Sequence, residues 1–172
     1  MALVCAPPRL ARIVPAAFAN FVARGGLWVL AQIPVLLVAA VIPVWFGAGH
    51  FIPRGPLAFA GAASAVLGVL LSVWGLTGLR EALTPFPKPL YDASLRRTGA
   101  YRLMRHPIYA GLIFASFGWA IWWLSAAGVV YGVAVAVFFD RKSAHEENWL
   151  REKYPEYADY ARRVKKFIPG IY

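Results

Sequence analysis

The stretch PIYAGLIFASFGWAIWWLSAAGVVYGVAVAVFF, residues 107–139, is 33 residues long and contains no charged side chain. As one helix it would be about 50 Å long at about 1.5 Å per residue, which exceeds a bilayer hydrocarbon core of about 30 Å. A break near WLSAAGVV, residues 123–130, would instead give two shorter spans joined by a tight turn. The stretch therefore predicts a helical hairpin with spans at about 107–124 and 127–142.

Two further uncharged runs, 25–49 and 55–79, are long enough to cross a bilayer once as helices, because a span needs about 20 apolar residues. The 172-residue chain is 60% hydrophobic with a mean hydropathy of +0.56, and only 15% of its residues are charged. A soluble domain of this size would need more charge to cover its surface. The sequence predicts a single all-α integral membrane domain, with short cytoplasmic tail helices after four transmembrane helices at about 26–47, 57–79, 107–124 and 127–142.

The basic residues predict the orientation of these spans. With four spans, the N-terminus, segment 80–106 and the tail from residue 141 lie on one side and carry 17 of the 18 Lys and Arg residues, while Arg54 lies on the other. By the positive-inside rule both termini are expected in the cytoplasm, with the protein in the cell inner membrane. The net charge of +10 would then attract anionic lipid headgroups. No nucleic-acid-binding motif accompanies the charge, so a nucleic-acid partner is not expected.

The first 24 residues do not resemble a cleavable signal peptide, because arginines and prolines interrupt them and no apolar core follows the first charge. They are expected to form an amphipathic helix on the inner membrane surface, with Phe18, Phe21 and Val22 in lipid. Cys5 is the only cysteine, so neither an intramolecular disulfide nor a cysteine-based metal cluster is expected. The three histidines lack metal-ligand spacing, and no metal is expected.

Two segments outside the spans have distinctive patterns. Prolines occupy every second position between the second and third spans, at Pro85, Pro87 and Pro89. They favour an extended path, which suits either the wall of a ligand site or a stiff connector. The tail predicts one short helix that stops near Tyr154 and Pro155 and a second helix to about residue 164. The tail tyrosines recur at three-residue intervals and would share one face: Tyr154, Tyr157 and Tyr160.

The predicted hairpin brings two polar groups of residues to the cytoplasmic membrane face. The first group lies at the start of the third span and the second beyond the fourth: Tyr101, Arg105, His106 and Tyr109, then Glu146 and Glu147. Adjacent glutamates lie about 100° apart on a helix, so one is expected to point into a site while the other pairs with Arg105 or a tail arginine. Ionisable groups gathered at a membrane are functional candidates. The sequence has no phosphate loop, GxSxG elbow or HExxH motif that would indicate another chemistry.

These residues resemble the isoprenylcysteine carboxyl methyltransferase family, within the small integral-membrane methyltransferases that include phospholipid N-methyltransferases. The resemblance rests on TGAYRLMRHPIYAG (98–111), the hairpin and EENWLREKYPEYADYARRVKKFIP (146–169), and it covers about residues 83–170. It implies that the last helices and the tail enclose S-adenosyl-L-methionine at the cytoplasmic membrane face. It also implies a lipophilic substrate that enters from the bilayer.

By position, the resemblance implies a set of residues around the cofactor: Leu95, Tyr101, His106, Pro107, Ile108, Tyr109 and Glu146. Glu147 and Arg105 are the candidate catalytic residues. The family links an arginine four residues before the first glutamate to the substrate; here that position is Lys142, beside Arg141, and these two are the candidate substrate-binding residues. A lysine keeps the positive charge without the bidentate geometry of arginine.

The chemistry of methyl transfer leaves the acceptor open. The protein must align a nucleophile with a sulfonium methyl group and exclude water, and the site tyrosines offer aromatic faces for the sulfonium. A carboxylate acceptor needs a cation such as Lys142 or Arg141, whereas an amine, thiol or phenol must lose a proton to Glu147 or His106. Phospholipid N-methylation and a non-catalytic scaffold role are the alternatives.

The first two spans are rich in Gly, Ala and Ser, and we expect them to pack closely and to contribute little polar chemistry.

Overall fold

The fold is taken from a computed structural model, which describes residues 16–51, 54–79, 86, 88 and 94–172. Within these residues the chain forms helices and no β-strand, so the predicted all-α class is confirmed. A short 3₁₀ turn, Ala48–His50, follows the second helix. The α-helices of the described residues are α1 (Ala16–Ala23), α2 (Gly26–Phe46), α3 (Pro56–Leu79), α4 (Ala100–Leu103), α5 (Pro107–Trp122), α6 (Ala126–Lys153) and α7 (Tyr157–Arg163).

Helices α5 and α6 form the predicted hairpin. Pro107 occupies the first position of α5, where its missing N–H would have no helical partner in any case. The turn lies at residues 123–125, where Leu124 adopts a left-handed φ of 51°. Ser125 Oγ then accepts a hydrogen bond from Gly128 N (3.1 Å) and caps the start of α6. The break therefore lies inside the segment 123–130 predicted for it.

Helix α6 continues well beyond the last predicted span. The sequence predicts a separate short helix in the tail, whereas α6 runs unbroken from Ala126 to Lys153. No glycine or proline occurs between residues 133 and 154, so nothing interrupts the backbone hydrogen bonds where charged residues begin. Tyr154 is extended (φ −119°, ψ 105°), as the residue before a proline usually is, and the predicted stop near Tyr154 is confirmed.

Helices α3 and α5 approach each other through glycines. Gly61 and Gly68 of α3 lie against Gly118 and Gly111 of α5. A Cβ added at Gly68 would lie 2.5 Å from Gly111 O, and one added at Gly111 would lie 2.3 Å from Gly68 O. Small residues allow such close backbone contact between helices in membranes. The close packing predicted for the early spans is thus confirmed for α3.

Helices α2 and α3, of 21 and 24 residues, are long and apolar enough to cross a membrane. Large apolar side chains on them point outward and are more than half exposed, among them Leu30, Leu37, Leu67 and Leu70. Soluble monomers rarely show so large a continuous apolar surface. Helix α5 is apolar but has only 16 residues, so the four-span arrangement stays a prediction.

Helix α1 forms the described part of the predicted interfacial helix. Phe18 and Val22 are exposed, as expected for side chains in lipid. Phe21, in contrast, turns inward and packs its ring on Gly26 and Phe86. A Cβ at Gly26 would lie 2.4 Å from that ring, so the glycine makes the room that allows this contact. Cys5 and the three prolines of the connector lie outside the described residues.

Candidate active site

The first polar contact between the two ends of the hairpin joins His106 to Glu147. His106 Nε2 lies 3.1 Å from Glu147 Oε1, and the two side chains are only 5% and 4% exposed. Arg105 Nε donates to the same oxygen (2.9 Å), and Arg151 Nη2, one turn along α6, donates to Glu147 Oε2 (3.0 Å). Glu147 is therefore the member of the glutamate pair that binds the arginines.

Arg105 also ties the tail to this site. Its Nη1 donates to two carbonyl oxygens at the end of α7, those of Ala161 (3.1 Å) and Val164 (2.6 Å). Two backbone hydrogen bonds run beside it, from Arg105 N to Lys165 O (2.8 Å) and from His106 N to Lys166 O (3.1 Å). The tail thus returns to the start of α5 and covers the ion pair.

These donors determine the protonation of Glu147. Burial disfavours the charged carboxylate and by itself would raise its pKa, but the hydrogen bonds and charges of His106 and Arg105 outweigh burial and lower the pKa of Glu147 to about 2. Glu147 is therefore ionised at neutral pH. A carboxylate this acidic is a weak proton acceptor.

The other glutamate, Glu146, binds Tyr109. Tyr109 Oη donates to Glu146 Oε2 over 2.9 Å, and the Tyr109 ring stacks on His106 (centroids 5.5 Å apart) and on Phe139 (5.0 Å). Burial raises the pKa of Glu146, and the nearby His106, Tyr109 and Lys142 offset this effect only in part. The two adjacent carboxylates therefore shift in opposite directions, and Glu146 accepts a proton much more readily than Glu147.

Lys142 points into the fold rather than toward solvent. It is 3% exposed, its Nζ donates to Gln32 Oε1 of α2, and the same Nζ lies 5.0 Å from the centre of the Tyr109 ring. Gln32 was not among the residues predicted for the site. A signal was present, because Gln32 is the one side-chain amide in an otherwise apolar 21-residue helix, and a polar group in a membrane span needs a partner.

The tail tyrosines pack together, as their spacing predicts. Tyr154, Tyr157 and Tyr160 form a buried cluster, and Leu95 packs against it. Tyr160 Oη donates to the carbonyl oxygen of Tyr101, which ties α4 to the cluster, and burial raises the pKa of Tyr160 to about 12. The Tyr157 hydroxyl is buried and has no hydrogen-bond partner among the described residues. It is therefore a candidate donor to a bound molecule.

Three of the predicted site residues lie outside this polar cluster. Pro107 and Ile108 both pack toward Gly75 of α3. Arg141 is exposed, whereas its neighbour Lys142 is buried. Their predicted roles in cofactor or substrate binding stay predictions.

The polar cluster therefore offers three different charges close together. Glu147 is a fixed anion, Glu146 is a carboxylate that can hold a proton or a cation, and Lys142 is a buried ammonium group. Such a set can hold a cationic ligand beside an anionic one while the tail excludes water. Within the described ranges no three His, Cys, Asp or Glu side chains are grouped as metal ligands.

Comparison with known proteins gives a family match. A family profile described as phospholipid methyltransferase matches residues 57–157. Protein-S-isoprenylcysteine O-methyltransferase B of Arabidopsis thaliana is 32% identical over 75 residues, which cover 42% of this chain and 38% of the relative. Methanethiol S-methyltransferase of Pseudomonas deceptionensis is 28% identical over 104 residues, 59% of this chain and 39% of the relative. Cobalt-zinc-cadmium resistance protein CzcN of Cupriavidus metallidurans is 32% identical over 79 residues, 45% and 37% of the two chains.

These matches confirm the resemblance that segments 98–111 and 146–169 indicate. The matches cover only part of each relative. The matched segment spans 38% and 39% of the lengths of the two methyltransferases named.

Proposed function

The chain belongs to the phospholipid methyltransferase family, and from this premise we propose that it is an integral-membrane enzyme that uses S-adenosyl-L-methionine to methylate a lipophilic acceptor at the cytoplasmic membrane face. The observation that carries the proposal is the buried polar cluster at the open end of the hairpin. There His106 is joined to Glu147, and Tyr109 to Glu146. All four residues lie in the two segments that resemble methyltransferases.

The proposed arrangement has four spans, formed by α2, α3, α5 and α6, with both termini in the cytoplasm. The position of Arg54 supports this arrangement. Its guanidinium carbon lies 4.5 and 5.0 Å from the ring centres of Trp122 and Trp123, beside the hairpin turn. Arg54 therefore lies at the opposite end of α5 from Arg105. Helix α5 would be about 24 Å long at about 1.5 Å per residue. Tryptophans at its end suit the membrane interface, where such residues concentrate.

Labelling tests this topology. Cysteines introduced at Ala48 and Ser94, in a Cys5→Ser background, should react with impermeant reagents from opposite sides of the membrane in intact cells. Labelling of both positions from outside would refute the four-span arrangement.

The cluster matches the charges of the cofactor. S-adenosyl-L-methionine, when bound, supplies a methyl group on a positively charged sulfur. We assign Glu146 to the cationic part of the cofactor, with Leu95 and Tyr101 lining one side. We assign the Tyr157 hydroxyl, which has no hydrogen-bond partner in the described part of the chain, to a polar group on the cofactor. The Tyr109 ring already stacks on His106 and Phe139, so we assign it a role in shaping the site rather than in cation–π binding.

We assign Glu147 and Arg105 a positioning role rather than a proton-transfer role. Glu147 accepts hydrogen bonds from Arg105 and Arg151, lies 3.1 Å from His106 Nε2 and has a pKa of about 2. It is thus poorly suited to remove a proton from an acceptor. Arg105 directs its donors to Glu147 and to the tail carbonyl oxygens. Together they hold the tail over the site, orient the His106 ring and keep water out.

We propose that the acceptor nucleophile is already an anion, a carboxylate or a thiolate, carried on a lipophilic molecule. Such a nucleophile needs no general base, which agrees with the low pKa of Glu147. Lys142 Nζ is buried, its hydrogen-bond partner is the neutral Gln32, and it forms no ion pair within the described residues. A buried ammonium group in this condition favours an anionic ligand. The two methyltransferase relatives are named for O- and S-methylation, which agrees with this class.

Calorimetry in detergent tests the cofactor assignment. The unaltered protein should bind S-adenosyl-L-methionine, and Glu146→Ala or His106→Ala should weaken binding at least tenfold. Glu152→Ala, an exposed glutamate on the same helix, is the matched control and should bind as the unaltered protein does. Normal affinity in both site variants would reject the site. The absence of binding by the unaltered protein would instead favour a non-catalytic role for the fold.

A further inference from the structure

A cationic cavity of about 880 Å³ lies on the exposed side of α6, beside the polar cluster. Five basic side chains and one carboxylate line it: Arg105, Arg141, Arg151, Lys165, Lys166 and Glu147. A cavity with this imbalance of charge attracts anions.

Three of the five basic side chains are already paired. Arg105 and Arg151 bind Glu147, and Lys166 Nζ lies 2.6 Å from Asp140 Oδ1. Arg141 and Lys165 form no side-chain hydrogen bond or ion pair with any part of the chain that the structure describes. Arg141 adjoins Asp140 in sequence, but that carboxylate is held by Lys166 and by Tyr172 Oη (2.8 Å). The cavity therefore contains two positive charges available to a ligand.

A second cavity, an apolar groove of about 470 Å³, adjoins the cationic one and lies between α5 and α6. Its apolar lining comes from both helices and the tail: Ile113, Phe114, Phe117, Val137, Phe167 and Ile168. Arg141 and Tyr172 line both cavities, so the two meet at these residues. Phe114 and Val137 are 39% and 52% exposed, which means that the groove opens sideways, toward the place of the bilayer.

We propose that the two adjoining cavities hold one anionic phospholipid of the cytoplasmic leaflet, with its phosphate at Arg141 and Lys165 and one acyl chain in the apolar groove. The proposal rests on the membrane placement given in the proposed function. Both volumes lie within the roughly 300–1,000 Å³ of ligand sites, and basic side chains at a membrane surface bind anionic headgroups. A free phosphate would leave the apolar groove empty, whereas a lipid fills both cavities.

The phosphate position proposed here, at Arg141 and Lys165, differs from the cofactor cluster, although Arg105 and Glu147 line both the cluster and the cationic cavity. Adjacent residues on a helix lie about 100° apart, so Arg141 faces the cationic cavity while Lys142 turns inward to Gln32. The lipid would occupy the space beside the tail segment that covers His106 and Glu147. It would therefore stabilise the closed tail without occupying the site of methyl transfer.

The test is a lipid titration of the purified protein in detergent, with bound lipid counted by native mass spectrometry. Dioleoyl phosphatidylglycerol should be retained at one molecule per chain, and dioleoyl phosphatidylcholine, with the same acyl chains, should not. Each basic residue near a membrane surface contributes about 1 kcal/mol, or about fivefold in affinity. Arg141→Gln and Lys165→Gln should therefore each weaken binding about fivefold.

Two matched controls keep the proposal falsifiable. Val137→Trp should block the groove and lower lipid retention, while Val133→Trp, one turn earlier on α6 and equally exposed at 54%, should not. Arg102→Gln removes an exposed charge outside the cavity. If Arg102→Gln weakened lipid binding as much as Arg141→Gln does, the binding would be general attraction to a basic surface. If Val137→Trp retained the lipid undiminished, the acyl chain would not lie in the groove. Either result overturns the proposal.

Cofactor calorimetry separates this site from the proposed function. Val137→Trp and Lys165→Gln should lose lipid and keep cofactor binding. Competition between phosphatidylglycerol and S-adenosyl-L-methionine would assign the cationic cavity to the cofactor and overturn the lipid proposal. A protein that retains the lipid but never binds the cofactor would refute the methyltransferase proposal and leave the lipid site standing.

Discussion

Removal of the Glu147 carboxylate tests the role assigned to it. In Glu147→Ala, Arg105 and His106 lose their shared acceptor while the Arg105 side chain stays only 13% exposed. Breaking a buried ion pair by removing one partner costs about 3–5 kcal/mol. The lower end of this energy range applies to Glu147→Ala, because Arg105 keeps its hydrogen bonds to two tail carbonyl oxygens. The lost contact with Arg151 adds little, because that side chain is half-exposed. We expect a loss of about 3 kcal/mol, which is about 6–12 °C in Tm for a chain of this size.

Thermal unfolding in detergent measures this loss. Glu152→Ala, an exposed glutamate five residues after Glu147 on α6, should change stability by less than about 0.5 kcal/mol. If Glu147→Ala lowered the melting temperature no more than this control, the ion pair would not hold the tail, and the positioning role would be wrong.

The pH dependence of stability gives the same reasoning a second test. The folded pKa of Glu147, about 2, is below the ordinary value of about 4.3 for a glutamate. The ionised carboxylate therefore contributes its full stabilisation above about pH 4.3 and loses it as the pH falls toward 2. The unaltered protein should lose stability in this window more steeply than Glu147→Ala does.

Turnover distinguishes positioning from proton transfer at the same residue. Glu147→Gln keeps the shape of the side chain and an oxygen that can accept from Arg105. A positioning role predicts that this variant loses stability but keeps measurable turnover with an anionic acceptor. Complete loss of turnover at full cofactor affinity would instead make Glu147 the base.

Three further predictions concern other parts of the molecule. Gly111→Ala should cost about 1–3 kcal/mol in thermal unfolding, because its Cβ would meet Gly68 O, whereas Gly55→Ala, which meets nothing within 4 Å, should be neutral. Cofactor affinity should rise with pH through the raised pKa of Glu146, since the ionised carboxylate binds a cation, and calorimetry on Glu146→Gln should give a flat profile. Lys142→Ala should raise KM or lower kcat for an anionic acceptor at unchanged cofactor affinity, and a defect confined to cofactor binding would contradict its assignment.

The hairpin was predictable because hydropathy and length act together on it. An uncharged run of 33 residues is too long for one span, and the segment WLSAAGVV, residues 123–130, offers a break near its middle. The continuation of α6 to Lys153 was not predictable in the same way. Hydropathy reports the surroundings of a helix, and those change at Asp140, whereas the backbone has no reason to break before Pro155. A change in composition was therefore mistaken for a helix boundary.

The members of the site were predictable from sequence, but the division of roles among them was not. Helical spacing separates Glu146 from Glu147 without saying which one faces the arginines. That choice depends on the returning tail, because Arg105 binds tail carbonyl oxygens 56 and 59 residues away. The contact between Gln32 and Lys142 is also remote in sequence, since it spans 110 residues. Local patterns carry no signal for such pairs. Once Arg105 takes Glu147, Glu146 is the one left to Tyr109 with a raised pKa, and so the fold of the tail decides which carboxylate is available to a cationic ligand.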